Sequence, residues 1–385
     1  MNDIIYMKKA LMLAKKGQFS AAPNPNVGCV IVKNGKIIGE GWHIRQGEPH
    51  AEINALKKLT ENAYGATVYI NLEPCSHFGY TPPCCKSLVL AGIKRIVIAM
   101  IDPNPLVSGK GIKYMKKHGI SISCGLMKKE AESINKGFNK RMKTGLPWIQ
   151  LKMASSIDGK ISMSDGNSKW ISSVESRKDV QYFRAKNQVI LSTSKTIIKD
   201  NPSLNVRYSD MNQKTQSYFL NAKIKQPIRL IIDSNNHIKP FHNVIQTQGK
   251  VLLARLKPDK EKWPKNTKQI IIDKDNNNKI DLLSLIYKLG SKKVNNVWVE
   301  AGSQLAGSLI NIKLVDELII YLSPKILGEK SKDIFTLKKT LKISETIDFR
   351  FKKIKRIGKD LRIILKPKLK SKSYNKEKYY EKKLS

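Results

Sequence analysis

Three side chains suited to a soft metal ion, His50, Cys75 and Cys84, constrain this chain more than any other feature. They stand far apart in sequence, so a fold that uses them together must bring three separate elements to one point. One imidazole and two thiolates leave the fourth position of a tetrahedral zinc ion open, the arrangement of a reactive site rather than a purely structural one. Zinc lowers the pKa of bound water from ~16 to about 7. Glu52, two residues from His50, is then free to take a proton from water and pass it on. Cys75 is expected to end a strand and Cys84 to open a helix, whose N-terminus favours a thiolate. The residues alone leave alternatives open. Cys85 could replace Cys84, although Cys84 is the one that directly follows a proline; His77 could coordinate; and Cys75, Cys84 or Cys85, His50 and His77 could form a closed Cys2His2 site without catalysis. His43 and His118 read as ordinary polar histidines, and Cys29, in an apolar run, as a core residue.

The chain has 385 residues, 41% of them hydrophobic, which suits two α/β domains with a core each. Strands are expected at 27–33 and 36–41, joined by the hairpin signal Asn34-Gly35, and at 67–72, 95–100 and 120–124. Helices are expected at 4–16, 50–59, 84–91 and 111–118, with a helical connector over 126–146. A second series follows Pro147. It has strands at 148–153, 188–193, 228–233, 251–255, 269–272, 296–300, 317–322 and 360–365, and helices at 173–185, 281–289 and 304–310. Ser172-Ser-Val-Glu175 offers a capping box for the first of these helices. The resulting division is 1–145, 146–366, and a Lys-rich tail, 367–385, expected to be disordered. The halves show no repeat. No window approaches the ~20 apolar residues of a membrane span, and the N-terminus lacks the parts of an export signal. A soluble, cytoplasmic protein is expected, with no membrane partner. Five cysteines, an odd number, argue against a disulfide framework. The net charge of +40 admits nucleic-acid binding. Lysine is spread through unremarkable loops without a stripe or interleaved aromatics, so compositional drift is the reading adopted, with no nucleic-acid partner. A phosphorylated substrate would gain from the same field.

The order His-x-Glu, Pro-Cys, Cys is the signature of zinc nucleobase deaminases. Eight residues, 76–83, separate the two cysteines here, where deaminases in general have two. Further segments make the resemblance specific: Asn24-Pro-Asn-Val-Gly-Cys-Val, Gly47-Glu-Pro-His-Ala-Glu, Leu72-Glu-Pro-Cys-Ser-His, Thr81-Pro-Pro-Cys-Cys and Asp102-Pro-Asn-Pro-Leu-Val-Ser-Gly-Lys-Gly. In the second half they are Gln150-Leu-Lys-Met-Ala-Ser-Ser-Ile-Asp-Gly-Lys, Ser168-Lys-Trp-Ile and Asp200-Asn-Pro-Ser-Leu-Asn-Val-Arg207. Over residues 1 to about 365 the chain resembles the bifunctional deaminase–reductases of riboflavin biosynthesis, in which the long Cys–Cys segment is normal. The resemblance implies a cytidine-deaminase-like α/β/α domain followed by a dihydrofolate-reductase-like α/β domain. It implies zinc-dependent removal of the 2-amino group of 2,5-diamino-6-ribosylamino-4(3H)-pyrimidinone 5′-phosphate. NADPH-dependent reduction then gives 5-amino-6-(5-phospho-ribitylamino)uracil. Relatives form homo-oligomers, and the same is expected here.

Read without the family, the second half holds no Gly-x-Gly-x-x-Gly after its first strand and no P-loop. It does hold strand, tight turn and helix over Val299–Ser308, where free amides could bind a phosphate. The resemblance assigns NADPH contacts to Ala154, Trp170, Thr196, Asp200, Ser234, Gly302, Ser303, Gln304, Leu305, Ala306, Gly307 and Ser308. It assigns substrate contacts to Lys152, Ser168, Arg184, Leu204, Arg207 and Glu300. Arg184 and Arg207 are suited to gripping a phosphate bidentately, although Arg184 could be a solvated helix-face residue and Trp170 a core residue. Two departures stand out: Leu191-Ser-Thr-Ser-Lys195 where many relatives carry a Gly-rich turn, and Asn201 where an acid is common. Two other functions stay in play, a tRNA or nucleobase deaminase with an accessory domain, and a degraded enzyme kept as a scaffold. The presence of every zinc and proton-transfer residue argues against the latter.

Overall fold

The computed structural model describes residues 2–76, 82–105, 107–167, 169–219, 224–337, 342 and 345–368. It divides into two compact units, Met1–Leu146 and Pro147–Ser385. His77, Ser168 and the tail from 369 onward lie outside the described residues.

In the first unit, helix α1 (Asn2–Lys16) leads into the hairpin β1 (Gly28–Lys33) and β2 (Lys36–Trp42). Asn34 and Gly35 both take positive φ, 50° and 77°, as a two-residue turn between right-twisted strands requires. Then come α2 (Ala51–Leu56), β3 (Thr67–Ile70), α3 (Cys84–Leu90), β4 (Arg95–Ile98), α4 (Lys110–Lys117) and β5 (Ser121–Cys124). The expected connector is two helices, α5 (Lys128–Ile134) and α6 (Lys136–Thr144). The sheet order is β2-β1-β3-β4-β5, antiparallel at β2-β1-β3 and parallel across β3-β4-β5.

β1 is buried on both faces, and its side chains alternate between two cores. Cys29 and Ile31 join Ala51, Ala55, Cys85, Leu88 and Met115, from α2, α3 and α4. Val30 and Val32 join Met7, Ala10, Leu11 and Ala131, from α1 and α5. The result is an α/β/α layer. One glycine sets the position of the helix that follows His50: a Cβ on Gly41 would collide with the backbone at Ala51 and Ala55, so only glycine lets α2 lie directly on β2.

The second unit is built on β6 (Trp148–Ser156), β8 (Val189–Thr193), β9 (Ile228–Ile232), β10 (Val251–Arg255), β11 (Thr267–Ile271), β12 (Asn296–Glu300), β13 (Glu317–Ser323), β15 (Phe349–Ile357) and β16 (Asp360–Pro367). Their order is β11-β10-β9-β8-β12-β6-β13-β16-β15. The first seven of these run parallel, and β16 and β15 add antiparallel at one edge. A small pair, β7 (Lys160–Ser162) with β14 (Lys332–Asp333), stands apart. The helices are α7 (Val174–Lys186), α8 (Ser194–Asp200), α9 (Gln213–Gln216), α10 (Asn243–Gln246), α11 (Leu282–Ser291) and α12 (Ser303–Asn311). Trp298, Tyr321, Ile190, Ile231 and Leu253 centre its core.

The cap of α7 differs from expectation by one position. Ser173, not Ser172, accepts the Ser176 N–H at 3.2 Å. The buried Asp360 carboxylate takes the Ser173 N–H at 2.7 Å and the Ser176 hydroxyl at 2.6 Å, which fixes Ser173 at the cap. β15 was not expected, because its face is exposed and its Lys- and Arg-rich sequence shows no strand alternation.

Gly41→Ala is expected to lower the stability of the first unit by about 1–3 kcal/mol through overpacking. It should also weaken zinc binding, because α2 must shift. Thermal unfolding and a zinc titration read the two effects.

Candidate active site

Two of the three candidate ligands sit at helix starts, while Cys75 lies in the segment after β3 and does not end the strand as expected. His50 is the N-cap of α2, Cys75 lies five residues beyond β3, and Cys84 opens α3. The His50 Nδ1 to Cys75 Sγ distance is 3.5 Å and that to Cys84 Sγ is 3.3 Å. All three donor atoms lie within 4.8 Å of one another. Around a tetrahedral zinc, nitrogen and sulfur ligands are about 3.5 Å apart given ordinary bond lengths, so the donor set fits that ion. Cys85, one residue on, is buried in the helix-side core and is not part of the cluster.

The electrostatics favour a thiolate first at Cys75. The Cys84 thiol, His50 and the Cys84 backbone N–H, at 3.4 Å, all stabilise it. Together they outweigh burial and bring its pKa down to about 4. Cys84 is pushed up by its shared proton with Cys75 and by burial. The expectation that the helix N-terminus favours a thiolate at Cys84 is therefore corrected: the first amide of α3 points at the neighbouring sulfur. Glu52 is buried, and that burial pushes its carboxyl up to about 7.

Three further residues complete the surroundings, and the reading of His43 as an ordinary polar histidine is corrected. His43 is buried, and its ring stands edge-on to His50 with centroids 5.3 Å apart. Asn24 Nδ2 lies 3.1 Å from His43 Nε2. Asn24 begins a motif quoted above, and that was the available signal. Glu73, two residues before Cys75, is buried and accepts the N–H groups of Asp102, Gly109 and Ile112 at 3.2, 2.9 and 3.2 Å. His118 is exposed and bonded to its own helix, as expected of an ordinary polar residue.

In the second unit, the parallel direction of β6, β8, β9 and β12, adjacent in the sheet, brings their C-terminal ends to one edge. That edge is where open α/β sheets bind ligands. Lys152 and Ala154 lie in β6 and Glu300 ends β12; Thr196, Ser234 and Gly302 follow β8, β9 and β12 within three residues. Lys152 and Glu300 are direct partners across neighbouring strands. Arg184, from α7, meets Glu300 with both ends of its fork: Nε to Oε1 at 2.6 Å and Nη2 to Oε2 at 3.0 Å. Its Nη1 donates to the Asn205 carbonyl at 2.9 Å. Arg184 is thus neither a solvated face residue nor a free phosphate clamp, since a carboxylate already occupies its fork. Arg207 pairs with Asp210 at 2.6 Å. Burial pushes Glu300 up, but the charge and hydrogen bonds of Arg184, with Lys152, bring it down to about 2. Burial depresses Lys152.

The remaining positions are equally definite. Trp170 is 61% exposed, not core, with the Arg177 guanidinium 4.3 Å from its ring centre. Gly302 is the N-cap of α12 and has no side-chain cap. Ser303 bonds Thr336 through both hydroxyls at 3.0 Å. Leu305, Ala306 and Gly307 face inward, and a Cβ on Gly307 would strike the Thr336 carbonyl, so their side chains do not face a ligand. Gln304 and Ser308 are on the outer side of the helix. Leu204 is buried in the core with φ 48°, leaving its backbone for contact. The Leu191–Lys195 departure puts Thr193 at the cap of α8, accepting the Thr196 N–H at 3.4 Å. Asp200 ends α8, and its carbonyl accepts from Lys169 Nζ at 3.5 Å. Asn201 takes the left-handed conformation, φ 42°. Its Oδ1 and carbonyl accept the Asn243 backbone and side-chain N–H, each at 2.9 Å. An aspartate would offer the same acceptor oxygen.

No helix among the described residues is long and apolar enough to cross a membrane.

Cys84→Ala is expected to abolish stoichiometric zinc binding, whereas Cys85→Ala should retain it; metal analysis of the purified variants distinguishes them. Glu300 carries a pH signature as well. Its folded pKa lies below the ordinary 4.5, at about 2. The stability it confers is complete above pH ~4.5 and is lost as pH falls toward 2. Acid unfolding of Glu300→Gln should be correspondingly flatter over that window.

Comparison with known proteins gives a family for each unit. The family model of the cytidine and deoxycytidylate deaminase zinc-binding region matches residues 1–100, and that of the RibD C-terminal domain matches residues 147–363. The riboflavin biosynthesis protein RibD of Buchnera aphidicola subsp. Baizongia pistaciae is 51% identical over 95% of this chain and 98% of its own length. The solved structure of Acinetobacter baumannii RibD matches with a TM-score of 0.86 at 35% identity, over 96% of this chain and 99% of that one. A Thermotoga maritima structure described as a diaminohydroxyphosphoribosylaminopyrimidine deaminase/5-amino-6-(5-phosphoribosylamino)uracil reductase matches with a TM-score of 0.84 at 30% identity, over 95% and 98%. A His/Cys/Cys cluster beside a buried carboxylate in one unit, a charged strand-end pair in the other, and these matches along nearly the whole length lead to one conclusion: the chain belongs to the RibD family of riboflavin biosynthesis proteins.

Proposed function

We propose that the two units carry separate active sites acting in sequence: hydrolytic deamination of the phosphoribosylated diaminopyrimidinone in the first, and reduction of its ribosyl chain in the second. The chain is a hydrolase and an oxidoreductase by family. The observation that carries the first assignment is the zinc-spaced donor set of His50, Cys75 and Cys84 beside the buried Glu52.

His50 Nδ1 and the sulfurs of Cys75 and Cys84 would hold the metal. Bound zinc supplies the Lewis acidity that makes water a nucleophile near neutral pH. Glu52 would accept one proton from the attacking water and give it to the ring nitrogen, then take the second proton, from the added hydroxyl, and give it to the departing amine. A carboxyl held at about 7 by burial is suited to both directions of transfer. His43 and Asn24, hydrogen-bonded to each other beside His50, narrow the space next to the metal.

For the second site, Arg184 and Glu300 form a largely buried ion pair, and Lys152 is the cross-strand neighbour of Glu300, giving a group with two cations to one anion. Its net positive charge complements the negative charge that develops on a carbonyl oxygen during reduction, and Lys152 is the group able to donate a proton there. NADPH, when bound, would supply the hydride. Ala154, Thr196, Asp200, Ser234 and the uncapped amides at Gly302 and Ser303 occupy the same sheet edge and would hold it, with Trp170 as an exposed flat surface. Substrate contacts fall to Lys152, Leu204, Arg207 and Glu300, with Arg184 acting through Glu300; Ser168 and the outer residues Gln304 and Ser308 complete the assignment. The RibD C-terminal match over residues 147–363 disfavours a nucleic-acid deaminase with an accessory domain. A homo-oligomer in the cytoplasm remains part of this proposal.

Glu52→Gln is expected to reduce ammonia release at least a thousandfold while leaving reduction of the deaminated intermediate intact. A coupled assay with zinc, NADPH and each substrate reads both steps. Loss of both activities in this variant refutes the two-site division.

A further inference from the structure

Glu300 has a third donor that neither the sequence motifs nor the family positions above include. Trp298 lies two residues earlier on β12, so both side chains leave the same face of the strand. Its indole Nε1–H donates to Glu300 Oε1 at 2.8 Å, the oxygen that also accepts Arg184 Nε at 2.6 Å. The indole is wholly buried and lies stacked on Phe183, with ring centres 5.0 Å apart and planes 10° apart. Phe183 is the residue before Arg184 on α7. One rigid aromatic pair therefore ties the strand bearing Glu300 to the helix bearing Arg184, and adds a hydrogen bond at the point where their charges meet.

Geometry limits what the indole can do otherwise. It is fully buried and its one N–H is taken by the carboxylate, so it has no group left for a ligand. The bidentate Arg184 fork fixes the Glu300 carboxylate relative to the guanidinium, but the pair, carried on two long side chains, could still shift together. A second donor on Oε1 removes that freedom. Lys152, the direct cross-strand partner of Glu300, feels the carboxylate and the Arg184 guanidinium as its charged neighbours among the described residues; Asp210 acts on Arg184 from beyond.

We infer that Trp298 is a positioning residue for the reductase site: its indole N–H fixes the Glu300 carboxylate between Arg184 and Lys152, so that the Lys152 ammonium is held for the developing oxyanion. The inference rests on the proposed reductase site.

The test uses the full-length, zinc-loaded protein and three variants. Trp298→Phe keeps a stacked ring and loses the donor. Replacement of Trp298 by β-(3-benzothienyl)alanine keeps the fused-ring shape and puts sulfur in place of the N–H. Glu300→Gln tests the site itself. Both Trp298 variants are expected to lose about tenfold in kcat for reduction, as one hydrogen bond to a charged group implies. KM for NADPH should stay within about twofold, because neither Trp298 nor Glu300 is among its proposed contacts. Ammonia release should be unchanged, and NADPH binding by the variants reports that the second unit is folded. A kcat loss in Trp298→Phe that the isostere does not share means packing alone is at work, and overturns the inference. So does full kcat in both Trp298 variants when Glu300→Gln is disabled. Full kcat in Glu300→Gln as well overturns the proposed reductase site instead.

Discussion

A charge taken out of water must meet a partner, and both sites of this protein are organised by that rule. In the first unit, the buried Glu52 and the two sulfurs compete for protons in one small volume, and the settlement leaves Cys75 ionised first. In the second unit, Glu300 stays ionised because Arg184, Trp298 and Lys152 surround it. The rule reaches beyond the sites. Arg255 and Asp233, the residue before Ser234, form a wholly buried pair at 2.8 Å. Arg362 and Tyr321 converge on Asp179 at 2.6 Å. Breaking one such buried pair typically costs about 3–5 kcal/mol, mostly for the charge left behind. These pairs hold the strand ends and helices that carry the ligand-facing residues.

Much of the layer architecture could be read from local pattern. The hairpin at Asn34-Gly35 declares itself through two residues that tolerate positive φ. The strands at 251–255 and 296–300 have their expected bounds because parallel, doubly buried strands are short apolar runs with polar ends. The pattern failed where burial is one-sided or absent. β15, with exposed Arg350, Lys353, Lys355 and Arg356, is held by its ladder to β16 rather than by a hydrophobic face. Helices of four residues such as α9 and α10 are too short to show a period. The α7 cap moved to Ser173 because Asp360, nearly two hundred residues away, selects it; no local window contains that information.

The zinc ligands were legible as residue types but not as an electrostatic state. Which sulfur ionises first depends on how the two thiols and His50 are disposed about one another, and sequence does not specify that. Arg184 shows the same boundary. Its chemistry suggested a phosphate clamp, and only the fold reveals that a carboxylate 116 residues away in sequence already fills its fork. Glu73 and Trp298 were passed over, and His43 was taken for an ordinary polar residue, because each acts through a neighbour. A residue that holds another in place has no motif of its own.

The cap at Asn201 has a consequence of a different kind. Because Asn201 binds Asn243 through oxygen acceptors, an amide serves there as well as a carboxylate, and the substitution leaves the joint between α8 and α10 mechanically unchanged. Its electrical effect is not neutral. It removes one negative charge beside Asp200, at the edge of a chain whose formal charge is already +40. Phosphorylated molecules approaching that edge by diffusion therefore meet less local repulsion within a long-range attraction. Their capture rate becomes a quantity set by ionic strength, while their orientation once bound is still decided by the few buried pairs beneath.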